Sequence, residues 1–122
     1  MHLGRYREAL GYSVRALKNF EITDVKQRLD ASEALNLEGY LHMQLGEWEL
    51  AERELRAAAG MTPYLTRPYF NLAMLEYHRG NIEEARRQLA TALRYDTPQM
   101  AAVHRQLAAK REKELGLTAE TP

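Results

Sequence analysis

The sequence predicts an all-α fold, an α-α superhelix in which antiparallel helix pairs stack as a right-handed solenoid. Three observations carry that prediction. No segment sustains the apolar–polar alternation of a half-buried strand. Gly46-Glu47-Trp48-Glu49-Leu50-Ala51 and Gly80-Asn81-Ile82-Glu83-Glu84-Ala85 share one layout in a 34-residue register. Each has a helix-ending glycine, a polar residue, a large apolar residue, two spacers and a small residue. In the same register Leu35 matches Tyr69, Gly39 matches Ala73, Ala51 matches Ala85, Leu55 matches Leu89 and Ala58 matches Ala92. A third copy, Gly4-Arg5-Tyr6-Arg7-Glu8-Ala9, opens the chain.

Taken in order, the expected helices run at about 5–20, 31–45, 47–59, 67–79, 82–95 and 98–115. The first is a half repeat (4–20) that lacks a preceding partner helix, so Leu10, Val14 and Leu17 would expose an apolar strip. Gly4 and Gly46 stand 42 residues apart, eight more than the period, which makes residues 21–31 an inserted segment. Val25 and Leu29 are able to pack, so this segment is expected to be partly helical. A repeat at 32–65 follows, with Asp30 and Glu33 at capping-box spacing before its first helix. The next repeat spans 66–97. Pro68 falls in a first turn, where a missing N–H costs little, and Asn81 with Glu84 repeats the capping-box spacing. Pro98 opens the last helix (98–115), whose Arg105, Lys110, Arg111 and Lys113 are expected to make a solvating cap. All 122 residues are read as one domain.

The residue types suit such a stack. A glycine closes the first helix of each pair because it accepts the left-handed conformation. Small residues at Gly39/Ala73 and Ala51/Ala85 let paired helices approach closely. Leu55 and Leu89 fill the space between one pair and the next. Each pair leaves an apolar face uncovered, so stacking is required for stability.

This pattern resembles the tetratricopeptide repeat family, whose helix-turn-helix units are 34 residues long with small residues at these places and a proline near the unit's end. Pro63 fits that last position; in the next unit Thr97 holds it and Pro98 comes one later. The early aromatic of the first helix is present as Tyr69 and replaced by Leu35. The resemblance covers residues 4 to about 115.

The resemblance implies a concave groove lined by the first helices of successive units. In the unit from Ser32 these residues are Glu33, Asn36, Tyr40, Met43 and Gln44. In the unit from Thr66 they are Arg67, Phe70, Asn71, Met74, Tyr77 and His78, and the last helix adds Ala101, His104, Arg105 and Ala108. Leu37, Leu41, Leu72 and Leu75 are expected to fill the core. A groove so rich in aromatic and methionine side chains suits an amphipathic helix or extended peptide of a partner protein. Phe70→Ala with Tyr77→Ala is expected to abolish capture and keep the helicity. The family's carboxylate clamp for heat-shock chaperones is matched only by Asn71 and Arg105. Asn36, Tyr40 and Ala101 depart from it, so chaperone binding is not expected.

Two alternatives accompany this reading. One is a homo-oligomer formed through the N-terminal helix. The other is an assembly factor of a bacterial envelope system such as type IV pilus biogenesis, where lipoproteins share this architecture.

Other functions find no support. Seventeen basic and seventeen acidic residues cancel, so no nucleic-acid partner is expected. No apolar run approaches the roughly 18 residues of a membrane span, so no membrane insertion is expected. The N-terminus lacks a signal peptide's apolar stretch. That favours a cytoplasmic location, with a periplasmic one left open if the chain is processed. The absence of cysteine excludes disulfides, thiolate metal sites and a cysteine nucleophile. His2, His42, His78 and His104 lack metal-ligand spacing, so neither metal nor cofactor is expected. All seven glycines stand singly, so none forms a phosphate loop. Ser13 and Ser32 lie in no nucleophile motif. Each major carboxylate cluster has basic neighbours, which leaves no isolated acid–base pair. The chain is not expected to be an enzyme.

Overall fold

A computed structural model of the protein describes residues 25–117. These residues form five helices and no strand: α1 (Val25–Gln44), α2 (Trp48–Met61), α3 (Thr66–His78), α4 (Ile82–Tyr95) and α5 (Pro98–Glu114). The helix expected at 5–20, with its apolar strip, lies outside the described residues. Residues 25–30 of the inserted segment belong to α1, which runs unbroken into the first full repeat.

Helices α1, α3 and α5 end in the same way. Gly46, Gly80 and Gly116 take φ of 79°, 82° and 73°, a region that other L-residues rarely visit. At these turns the N–H of Glu47 donates to the His42 carbonyl (2.9 Å) and that of Asn81 to Glu76 (2.9 Å). Leu117 donates likewise to Glu112 (2.8 Å). Each bond reaches back five residues and satisfies a carbonyl that the helix end would leave open.

The helix starts differ from the capping-box expectation. Asp30 lies inside α1 and accepts from Lys26 Nζ at 3.3 Å, because the described helix already includes Val25–Leu29. Asn81 stands at the N-cap of α4, but its side chain makes no cap bond and donates to Glu76 Oε2 at 2.7 Å. Thr97 does cap α5, accepting from the Met100 N–H at 3.2 Å beside Pro98.

Helix α1 packs along α2 and α3 along α4; α3 also meets α1, α2 and α5, while α4 meets α5. The pair α1–α2 is antiparallel, since Gly39 faces Ala51 and Leu55 while Ala31 and Leu35 cluster with Ala58. The approach at Gly39 is very close. A Cβ there would lie 2.7 Å from Leu55 Cγ and 3.3 Å from the Ala51 carbonyl oxygen. Leu55 then joins Met43, Ala51, Leu72 and Leu75 in a core spanning α1, α2 and α3. Further along the stack, Tyr77, Ala85 and Ala108 form a second core, with Leu89 and Met74 against it.

Two core expectations need correction. Leu37 and Leu41 are only half-buried, whereas Leu72 and Leu75 are buried as expected. The reason is rotation: two residues turn a helix by about 200°, so these leucines lie far round α1 from Leu35 and Gly39. Helix α5 is not solvated all round either. It buries Ala101, His104 and Ala108, yet Met100, Val103 and Leu107 are 42%, 46% and 45% exposed. These three follow i, i+3, i+7 spacing and share one exposed stripe.

Candidate functional site

The sequence-named groove residues lie on α1, α3 and α5, the three helices that meet in series. Their contacts explain which of them are free. Asn71 Nδ2 donates to Asn36 Oδ1 at 2.8 Å, tying α3 to α1. The Phe70 ring stacks on the His104 imidazole, with centroids 4.2 Å apart and planes 13° apart, tying α3 to α5. His104 is itself fixed by Asp96, Nδ1 to Oδ2 at 2.7 Å. These four side chains are therefore the seams between helices. Tyr40 and Arg67 remain exposed one helical turn from Asn36 and Asn71, and Arg105 is exposed next in sequence to His104.

Two named residues belong to the core instead. Tyr77 is 1% exposed and Met43 is 8% exposed. Burial, with help from the Glu112 carboxylate that accepts from its hydroxyl, pushes the Tyr77 phenol up to about 12. Tyr77→Ala would thus open a cavity between α3, α4 and α5, so it is no neutral probe of a groove. Spacing alone could not separate groove from core here, because successive residues of α3 from Met74 to His78 sweep a full turn of the helix.

A cleft of about 430 Å³ opens where the C-terminal ends of α1 and α3 meet α2 and α5. It is lined by Met43, Gln44, Leu45, Gly46, Trp48, Met74, His78 and Arg111. Met43, Gln44, Met74 and His78 were named from the sequence. Leu45, Trp48 and Arg111 were not, though Trp48 holds the large apolar place of the repeat and Leu45 is 72% exposed. The Trp48 and His78 rings stack with centroids 4.2 Å apart, forming one wall. This lining offers apolar and sulfur surface with a cationic edge.

Sequence spacing also missed a cluster between α1 and α2. Donor atoms of Glu38, His42 and Glu54 all lie within 4.8 Å of one another. His42 Nδ1 meets Glu54 Oε1 at 2.5 Å, and His42 Nε2 lies 4.0 Å from Glu47 Oε2. Glu54 is 1% exposed. Burial raises its carboxyl to about 7; the neighbouring Glu38 adds to the rise and His42 opposes it. The i, i+4 spacing of Glu38 and His42 was a visible signal, but their partner on α2 is brought in only by the helix pairing.

No helix among the described residues is long and apolar enough to cross a membrane. A family model described as tetratricopeptide repeat matches residues 1–65, and a second with the same description matches residues 66–91. No curated protein and no solved structure matches the chain. Repeats of this kind generally mediate protein–protein interaction, and the family is typically a non-catalytic scaffold. With its glycine-closed helix pairs, its all-helical stack and a family match over more than half its length, the chain belongs to the tetratricopeptide repeat family.

Proposed function

We propose that the protein binds a segment of a partner protein along the face of α1, α3 and α5. The observation that carries this reading is the exposed set Tyr40, Arg67 and Arg105, held beside seams that the helices themselves lock. Such a surface is preorganised, so little ordering cost accompanies binding. Tyrosine and arginine are the side chains most often found as energetic anchors at interfaces. The neighbouring cleft, with Met74, Trp48 and Arg111, would take an apolar side chain of the same segment. No catalytic role is proposed, since the polar side chains of this face serve to join helices.

The test is affinity capture with mass spectrometry, comparing the native protein with Tyr40→Ala/Arg105→Ala and with Glu83→Ala on the exposed surface of α4. A partner retained by the native protein and by Glu83→Ala, but lost by the double variant, is the expected result. Equal capture by all three would reject the face. A second reading rests on the stripe Met100, Val103 and Leu107, which offers an apolar surface for self-association through α5.

A further inference from the structure

We infer that Glu38, His42 and Glu54 form a binding site for one divalent transition-metal ion of the zinc class, joining α1 to α2. Three donors converge from two helices, two of them one turn apart on α1 and the third across the pair, all within 4.8 Å. Bonds of about 2.0–2.2 Å to a tetrahedral zinc would set these donors roughly 3.3–3.5 Å apart. The His42–Glu54 contact of 2.5 Å must therefore open by just under 1 Å. Side-chain torsions of the two half-buried residues of α1 can supply that movement without shifting either helix.

The electrostatics favour a cation. Glu54 is a buried carboxylate, and among the described residues its ion-pair partner is one imidazole rather than a lysine or arginine. With Glu38 alongside, a divalent ion would draw on both carboxylates and the imidazole at once. The second nitrogen of His42 is also provided for. With Nδ1 on the metal, Nε2 carries the proton and faces the Glu47 carboxylate at 4.0 Å. That distance is beyond a hydrogen bond, so Glu47 favours the protonated nitrogen by charge attraction alone. One imidazole with two carboxylates suits zinc, cobalt or nickel better than calcium, which takes six to eight oxygens. Three protein donors leave a further position for water or for an atom of another molecule.

The experiment is calorimetric titration of the full chain, freed of metal with EDTA, using ZnCl₂, CoCl₂ and CaCl₂ in a non-chelating buffer. One saturating equivalent of Zn²⁺ is expected, with a raised Tm, visible d–d absorption for Co²⁺ and no saturable heat for Ca²⁺. His42→Ala and Glu38→Gln should each weaken zinc binding at least about tenfold. The Glu38 variant removes a half-buried group, so it tests the site even if changes at buried Glu54 perturb folding; circular dichroism checks each variant. Glu49→Gln, exposed on α2 and outside the cluster, should bind as the native chain does. Absent one-equivalent binding, undiminished binding in His42→Ala and Glu38→Gln, or equal affinity for Ca²⁺ would each overturn the inference.

Discussion

The closest approach of two helices rests on a missing methyl group. At Gly39 an added Cβ would collide with Leu55, which is fully buried among Met43, Ala51, Leu72 and Leu75 and has nowhere to swing. Overpacking of this kind costs about 1–3 kcal/mol, against a helix-propensity gain of about 0.5–1 kcal/mol for replacing glycine. Gly39→Ala is therefore expected to destabilise the protein by about 1–2 kcal/mol. Gly60, in α2, has nothing within 4 Å of an added Cβ. Gly60→Ala should stabilise by up to about 1 kcal/mol. Urea denaturation of the two variants checks both signs; a stabilising Gly39→Ala would contradict the packing at this crossing. The need for a small residue at 39 was legible from the register with Ala73. The need for glycine itself was not, because it depends on the Leu55 rotamer across the pair.

At the scale of the element, α5 is held by a network that distance in sequence concealed. Tyr77 on α3 donates its hydroxyl to Glu112, and Arg86 on α4 pairs with the same carboxylate at 2.7 Å. Arg86 holds the Glu112 carboxyl below its ordinary value of 4.5; burial opposes that effect and Tyr77 assists it. Because the folded value is the depressed one, its stabilising contribution is present above pH 4.5 and is lost as pH falls through the folded value. Acidification should accordingly loosen the C-terminal half of α5 relative to α1 and α2. Hydrogen exchange resolved by segment would reveal this, and Glu112→Gln should flatten the pH dependence in α5. An α5 that exchanges alike at pH 6 and pH 3.5 would exclude this anchoring role. The helix itself was foreseeable from Pro98 and the final Gly116, while its anchors come from residues 26 and 35 positions away.

For the whole molecule, the stack is less closed at α5 than its charge suggests. Arg105, Lys110, Arg111 and Lys113 imply a solvated cap, yet Met100, Val103 and Leu107 form a stripe on the same helix. An exposed apolar stripe at helical spacing is an available packing surface. If a second copy uses it, sedimentation should show mass rising with concentration in the native protein, and Leu107→Lys should abolish the rise. A monomer at every concentration would remove the self-association reading. The face proposed for a partner does not use this stripe, since Tyr40, Arg67 and Arg105 are separate exposed residues.

The amino-acid order by itself determined the helical class, the paired units, their glycine stops and the helices that share a face. Those features depend on local conformation and on a period that residues repeat along the chain. Only the tertiary structure decided that Tyr77 and Met43 are core, that Asn36, Asn71, Phe70 and His104 are seams, and that Glu54 joins Glu38 and His42. Burial and cross-helix distance depend on the rotation and approach of neighbouring helices, quantities set by side-chain packing across the pairs rather than by any one segment.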